Sequence, residues 1–180
     1  MNYIKSFFNS YYFAYLKYIL KGRKRDVLIN FYRKKGINIG DNCAIFSSIV
    51  TPESYLISIG DNVTISTDVK LIPHDNSVSK VLPNVTDVFG RIDIGNNCFI
   101  GAASILLPGI SLGDNSIVAA GSVVTKSFPN NVIVGGNPAK IICTIEEYKL
   151  KVSKYSVSTK GLTKDEKRDM ILNKVRLINK

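Results

Sequence analysis

The sequence predicts a mainly β fold, a solenoid in which short strands stack coil upon coil, and two observations predict it. An aliphatic residue returns at every sixth position through Ile94, Ile100, Leu106, Leu112, Val118 and Val124. Four places after each stands a small or apolar residue: Cys98, Ser104, Ile110, Ser116, Ser122 and Phe128. The second observation is turn chemistry at fixed intervals, as in Ile59-Gly60-Asp61-Asn62 and Leu112-Gly113-Asp114-Asn115. A helix would repeat its apolar residues at three and four, and a free strand would alternate without such punctuation. Short strands joined by tight corners satisfy both observations. One such unit cannot bury its apolar face alone, so the copies must share a continuous core.

Residues 1–36 precede the repeat. Ile4, Phe7, Phe8, Tyr11, Tyr12, Tyr15 and Ile19 recur at helical spacing, and Lys21, Arg23, Lys24, Arg25, Arg33, Lys34 and Lys35 follow them. The stretch is too short and polar to span a bilayer, and it lacks the small-residue cleavage motif of a secretory signal. It reads either as a cap on the open end of the solenoid or as an aromatic, basic helix lying on an anionic membrane. The cap is the preferred expectation.

The repeat proper occupies residues 37–142. It begins at Ile37, Ile39 and Cys43, loses count by about two residues around Pro52 and Tyr55, and resumes at Ile59, Val63, Ile65 and Leu71. It then fails until Ile94. Leu71 and Ile94 are 23 positions apart, where 6 or 18 would keep the phase. An inserted loop of roughly 17 residues, over about 74–91, accounts for the gap, and insertions of that length are usually functional. The sole histidine, His74, stands at its root. Residues 143–180 revert to helical patterning, with Thr144 to Glu147 and Thr163 to Glu166 each reading as a capping box. The second helix would carry Met170, Ile171, Lys174 and Leu177, packed on the solenoid or on a neighbouring subunit.

Composition sets the outer limits. A chain of 180 residues, 45% hydrophobic and 21% charged, is one globular domain with appendages. A net charge of +10 fits an anionic partner or simply a solvated basic face. No nucleic-acid motif accompanies the charge. The three cysteines show no metal-ligand spacing, and Cys43 and Cys98 share the repeat phase of Val63 and Ser116, which makes them small core residues. A reduced, cytoplasmic setting follows from that usage.

Three stretches now make a resemblance specific: 59–66 (IGDNVTIS), 94–131 (running from IGNNCFIG to SFPNN) and 134–142 (VGGNPAKII). Together with the histidine-bearing loop they resemble the hexapeptide-repeat acyltransferases, and within these the maltose and galactoside O-acetyltransferases and the capsule and lipopolysaccharide sugar O-acetyltransferases. The resemblance implies that the solenoid is a left-handed parallel β-helix, to which the residue pattern adds an N-terminal helical segment, one inserted loop and C-terminal helices. It also implies acetyl-CoA as cosubstrate, no metal, and a homotrimer with its active sites between subunits. The implied role is O-acetylation of a sugar hydroxyl on a cell-surface polysaccharide precursor, carried out in the cytoplasm or peripherally at the inner face of the membrane. N-acetylation of an amino nucleotide sugar, or acetylation of serine or an antibiotic hydroxyl, stands as the alternative.

Transfer of an acetyl group to a hydroxyl needs a base, because a protonated alcohol is a poor nucleophile. With one histidine in the chain the candidate is His74, which also matches the family's catalytic histidine. Asp75 either orients the imidazole or only favours a turn, since adjacent side chains point apart in a strand. For the cofactor, the resemblance implies backbone groups around Ala102 and Ala120, with Phe99 in place of a tryptophan, and Thr125, Lys126 and Lys140 near the phosphates. Two departures concern the grip and the acceptor: Cys143 replaces a frequent arginine, and the asparagine that binds sugar in the maltose and galactoside enzymes is replaced near Phe46, Ser47 and Ser48.

Overall fold

The computed structural model describes residues 24–173, 175, 177 and 178. Its body is a three-faced parallel β-helix, and each face is one ladder of very short strands. The first face stacks β1 (Asn38–Ile39), β3 (Ile57–Ile59), β8 (Ile92–Ile94) and β11 (Ile110–Leu112). The second runs β2 (Ala44–Ile45), β4 (Thr64–Ile65), β9 (Phe99–Ile100), β12 (Ile117–Val118) and β14 (Val132–Gly136). It ends on β15 (Ala139–Thr144), which turns back antiparallel. The third holds β5 (Lys70–Leu71), β10 (Ile105–Leu106) and β13 (Val123–Val124). Ile94 pairs with Leu112 and Ile100 with Val118, so one full circuit takes 18 residues, three steps of six.

Both columns of the repeat point inward. Ile94, Ile100, Leu106, Leu112, Val118 and Val124 are buried, and so are Cys98, Ser104, Ile110, Ser116, Ser122 and Phe128. Each face therefore turns two side chains per step into the prism. The buried serines satisfy themselves on corner carbonyls, as Ser104 Oγ does on Ala119 O at 3.0 Å. Cys43 and Cys98 occupy the same inward column as Val63 and Ser116, and their thiols donate to Gly60 O at 3.1 Å and Gly113 O at 3.2 Å. Burial pushes both thiols up from their ordinary pKa.

The Gly-Asp-Asn punctuation builds the corner between the first and second faces. A side chain on Gly95 would put its Cβ 2.8 Å from Asp114 N in the next coil, so only glycine fits there. The next residue accepts a backbone N–H across the coil step: Asp61 N donates to Asn96 Oδ1 at 2.8 Å, and Asn96 N to Asp114 Oδ1 at 2.6 Å. Asn62, Asn97, Asn115 and Asn131 take left-handed backbone and link their amides in a ladder, at 2.7, 3.2 and 3.1 Å. Each residue type in the motif has one geometric task.

The first open end of the prism is covered, but by a stretch that reads in sequence as part of the basic cluster. The aromatic helix expected at Ile4 to Ile19 lies outside the described residues. Helix α1 (Lys24–Lys34) lays Leu28, Ile29, Phe31 and Tyr32 on the first coil. Leu28 and Phe31 at three, and Leu28 and Tyr32 at four, form an apolar stripe that the flanking charges obscure. Tyr32 Oη donates to Ser47 O at 3.1 Å and accepts Ile49 N at 3.0 Å, which fixes the cap to the coil below. At the other end, α2 (Ile145–Ser153) opens on the capping box of Thr144 and Glu147, and α3 (Lys164–Asn173) follows the matching pair Thr163 and Glu166. Neither helix buries a residue within the single chain, and α2 adjoins β14 and β15 of the solenoid. Met170 and Ile171 do fall within α3, whereas Leu177 lies beyond it.

The core carries the stability. Leu106 is fully buried between the ladders of β5 and β13. Leu106→Ala should lower the unfolding free energy by about 2–5 kcal/mol, read as a shift in the urea midpoint. Val81→Ala, on the exposed loop, should leave that midpoint within about 0.5 kcal/mol.

Candidate active site

The loop leaves the solenoid at the corner between the third and first faces. Its two ends are pinned together where β6 (His74–Asp75) pairs antiparallel with β7 (Val88–Phe89), and Gly90 N donates to Pro73 O at 2.9 Å. The solenoid then resumes one coil on, with Ile92 pairing Ile57 and Ile110. The insertion therefore fixes His74 at a rigid root rather than on a free loop.

His74 has a carboxylate beside it, and the carboxylate is not that of Asp75. Glu53 Oε2 lies 2.8 Å from His74 Nδ1, off the axis that an aligned ring N–H bond would take. Nδ1 is shielded from solvent, while the imidazole as a whole remains about one-third exposed. Glu53 is itself positioned: Thr51 Oγ1 donates to the same oxygen at 3.1 Å, and Glu53 N donates back to Thr51 Oγ1 at 3.3 Å. The 3₁₀ turn Ser54–Leu56 begins directly after Glu53, and Ser54 Oγ anchors it on Lys35 O. The two surplus residues around Pro52 form this turn. They bring Glu53 to the same corner as His74, one coil earlier.

Asp75 faces the other way. Its Oδ1 accepts Ser77 N at 2.8 Å, opening the 3₁₀ turn Ser77–Lys80. That backbone N–H holds the Asp75 carboxyl below its ordinary pKa, with a smaller contribution from the neighbouring imidazole. The alternation of side chains across a strand is the reason, and Asp75 serves the turn. Phe89, across the β6–β7 pair, stands with its ring centroid 6.3 Å from that of His74.

The remaining candidates fall at two separate corners of the prism. Thr125 and Lys126 directly follow β13 and thus share the third–first corner with His74, two coils along. Both are exposed, and Lys126 Nζ leans to 5.7 Å from the Phe128 ring. Ala102 and Ala120 instead follow β9 and β12, at the corner between the second and third faces. Gly121 N donates to Ala102 O at 2.8 Å, and a Cβ on Gly101 would meet Ala120 N at 2.5 Å. Small residues are required here by the coil step itself. Lys140 lies opposite Gly135 on the β14–β15 hairpin, beside the same corner, and Phe99 projects outward, half exposed, from the second face. Within one chain, a whole face separates His74 from Ala102 and Ala120.

Glu53 is the residue that sequence reasoning missed. Its one signal was the loss of count around Pro52 and Tyr55, in the coil directly before the histidine. Phe46 and Ser48 are exposed while Ser47 is buried, its hydroxyl donating to Ser66 O and accepting Val69 N at 2.8 Å. Cys143 sits half-buried on β15.

Comparison with known proteins places this geometry. Residues 91–126 match the family model described as the hexapeptide repeat of succinyl-transferase. The chain is 46% identical over 166 residues to protein CapG of Staphylococcus aureus, covering 89% of this chain and 96% of that protein. It is 37% identical over 112 residues to the galactoside O-acetyltransferase of Escherichia coli K12, spanning 62% of this chain but 55% of that enzyme. A hexapeptide-repeat-containing acetyltransferase of Vibrio cholerae, solved in complex with acetyl coenzyme A, superposes with a TM-score of 0.55 at 29% identity, covering 61% of each chain. The parallel β-helix is thus the left-handed one, and the chain belongs to the hexapeptide-repeat acetyltransferase family.

Proposed function

We propose that the protein is an acetyl-CoA-dependent O-acetyltransferase that modifies a sugar hydroxyl on a cell-surface polysaccharide precursor, with His74 as general base. The contact between Glu53 and His74 carries the reading. A carboxylate on Nδ1 fixes the ring and leaves Nε2 to meet an acceptor. Nε2 takes the proton of the acceptor hydroxyl as its oxygen bonds to the thioester carbonyl carbon. The C–S bond then breaks, and the proton passes from the imidazolium to the departing thiolate. Glu53 stabilises the imidazolium between the two transfers. The relatives support the class of reaction, since they include a named O-acetyltransferase of a galactoside and an acetyltransferase holding acetyl coenzyme A. The galactoside in the name of one relative supports a sugar hydroxyl as acceptor.

The chain's own surface suits the cosubstrate. The corner of Ala102 and Ala120 offers backbone and no bulk, as a narrow pantetheine arm requires. Lys140 beside it and Lys126 on the other corner are exposed cations for phosphate. Because Ala102, Ala120 and Lys140 lie on a different corner from His74, the reading entails a homotrimer in which one chain's histidine faces its neighbour's alanine corner. The enzyme works in the cytoplasm, where acetyl-CoA is made, with peripheral contact at the inner face of the membrane. Mass spectrometry of acetyl-CoA incubated with nucleotide sugars, lipid-linked glycans, serine and antibiotic alcohols tests the acceptor. An O-acetyl glycan supports the proposal; an acetamide, or acetylation of serine or an antibiotic alone, refutes it.

Two expected outcomes belong to these residues. Glu53→Gln should cut kcat on the order of 10-fold or more with KM little changed, whereas Asp75→Asn should leave kcat within about two-fold. Equal losses in the two variants would remove Glu53 from its role. Lys126→Ala should weaken coenzyme A binding in calorimetry by on the order of 10-fold, with a smaller loss for dephospho-coenzyme A if the 3′-phosphate is its target. Lys140→Ala should weaken both ligands. Unchanged affinity in either lysine variant would strike that residue from the site.

A further inference from the structure

The loop root carries a second side chain that proton transfer does not use. His74 stands directly opposite Phe89 in the β6–β7 pair, and Asp75 stands opposite Val88. Opposed side chains of an antiparallel pair emerge on one face of the ribbon, so the imidazole and the Phe89 ring share a face while Asp75 takes the other. Their ring centroids are 6.3 Å apart and their planes are tilted by 44°. The imidazole is about one-third exposed, and Phe89 is 55% exposed. Both rings therefore border the same open side.

Isolated apolar residues on a surface are ordinary, and exposure alone assigns nothing to Phe89. Placement does. Gly90 N donates to Pro73 O at 2.9 Å and closes the pair directly beside the ring. A Cβ on Gly90 would overlap the backbone of Gly109, so the chain next to Phe89 is seated against the following coil with no room for a side chain. Phe89 is thus held as firmly as the base. Val81, Leu82 and Val85 are also exposed, but they lie out on the loop beyond this pinned root.

We propose that Phe89 is the platform on which a pyranose acceptor rests while its hydroxyl meets Nε2 of His74. The proposal rests on the sugar reading above and names the side chain that recognises the sugar ring. One face of a pyranose is a row of C–H groups, and an aromatic ring presents a negative face that attracts them. A hydrogen bond of about 3 Å on one side and a carbon contact of about 3.5–4.0 Å on the other together exceed the 6.3 Å between the rings, so one sugar ring reaches both. A phenyl ring has no hydrogen-bonding group for the amine and carboxylate of serine, so the same position discriminates against that acceptor.

Steady-state kinetics with methyl β-galactoside and with UDP-N-acetylglucosamine as acceptors, at saturating acetyl-CoA, test it. Phe89→Ala should raise the acceptor KM on the order of 10-fold with kcat within about two-fold, because a platform holds ground state and transition state alike. Phe89→Tyr keeps the ring and should stay near the wild type. Coenzyme A affinity, melting temperature and sedimentation should be unchanged in both variants. The chain contains no tryptophan, so Phe89→Trp installs a sole indole at the site. Its emission should shift to shorter wavelength when a pyranoside is added and stay unmoved by serine. An unmoved KM in Phe89→Ala, or an indole blind to both pyranosides, takes the ring out of the acceptor site and overturns the proposal. A fall in kcat with KM unchanged overturns it too, making Phe89 a prop for the imidazole. A changed sedimentation coefficient in Phe89→Ala assigns the ring to a contact between subunits instead. The sugar reading fails separately: a wild type that acetylates serine or an antibiotic alcohol and no sugar removes both, whereas a wild type active on a pyranoside whose KM ignores Phe89 removes this proposal alone.

Discussion

His74→Ala should lower acetyl transfer by on the order of 10²-fold or more while leaving the fold and coenzyme A affinity in place. The size follows from what the ring does. A neutral alcohol cannot attack a thioester usefully without losing its proton, and His74 is the only histidine in the chain. The fold survives because the imidazole is partly exposed and sits outside the inward columns that hold the prism together. Glu53 beside it keeps a hydrogen-bond donor in Thr51 after the ring is gone. His74→Gln provides a second reading, since it retains polar bulk at the loop root and still lacks a base. Both variants should be equally inactive, with unaltered calorimetric binding of coenzyme A. Turnover near the wild-type level in either would show that another group takes the proton.

The fold was legible in the sequence because a solenoid repeats its physics. Ile94 and Leu112 have the same environment, so the same side-chain class is selected at both, and one coil predicts the next. The Gly-Asp-Asn corner was legible for the same reason. What was not legible lies where the repeat is broken. A period says how many residues are surplus, but not which way they turn. The coil containing Pro52 and Tyr55 therefore announced two extra residues without revealing that they carry Glu53 to His74. Asp75 was the nearer carboxylate in sequence, and proximity in sequence is a poor guide in a strand, where neighbours diverge. The described part of the cap was hard to read for another reason. The basic residues around α1 hide an apolar stripe of only Leu28, Ile29, Phe31 and Tyr32, while the more conspicuous aromatic run precedes it. The candidate cofactor residues were each placed by likeness, and likeness does not say whether two positions share a corner.

That last point yields a sharp expectation. If His74 serves a site completed by the alanine corner of a neighbouring chain, then two dead variants should restore each other. The first is His74→Ala. The second is Ala120→Trp, which adds bulk on an exposed position after β12, outside the core, and obstructs the corner where the pantetheine arm would lie. Each variant alone should be nearly inactive. Co-expressed with different affinity tags and purified through both, they give mixed trimers in which only one pairing is intact: the histidine of an Ala120→Trp chain facing the open corner of a His74→Ala chain. A cyclic trimer of either mixed composition contains one such pairing among its three, so activity per trimer should recover to about a third of the wild type. Simple mixing of the two purified parents, without exchange of subunits, should recover none. If the histidine and the alanine corner served the same chain, no mixed trimer would hold an intact site and activity would stay at the parental level.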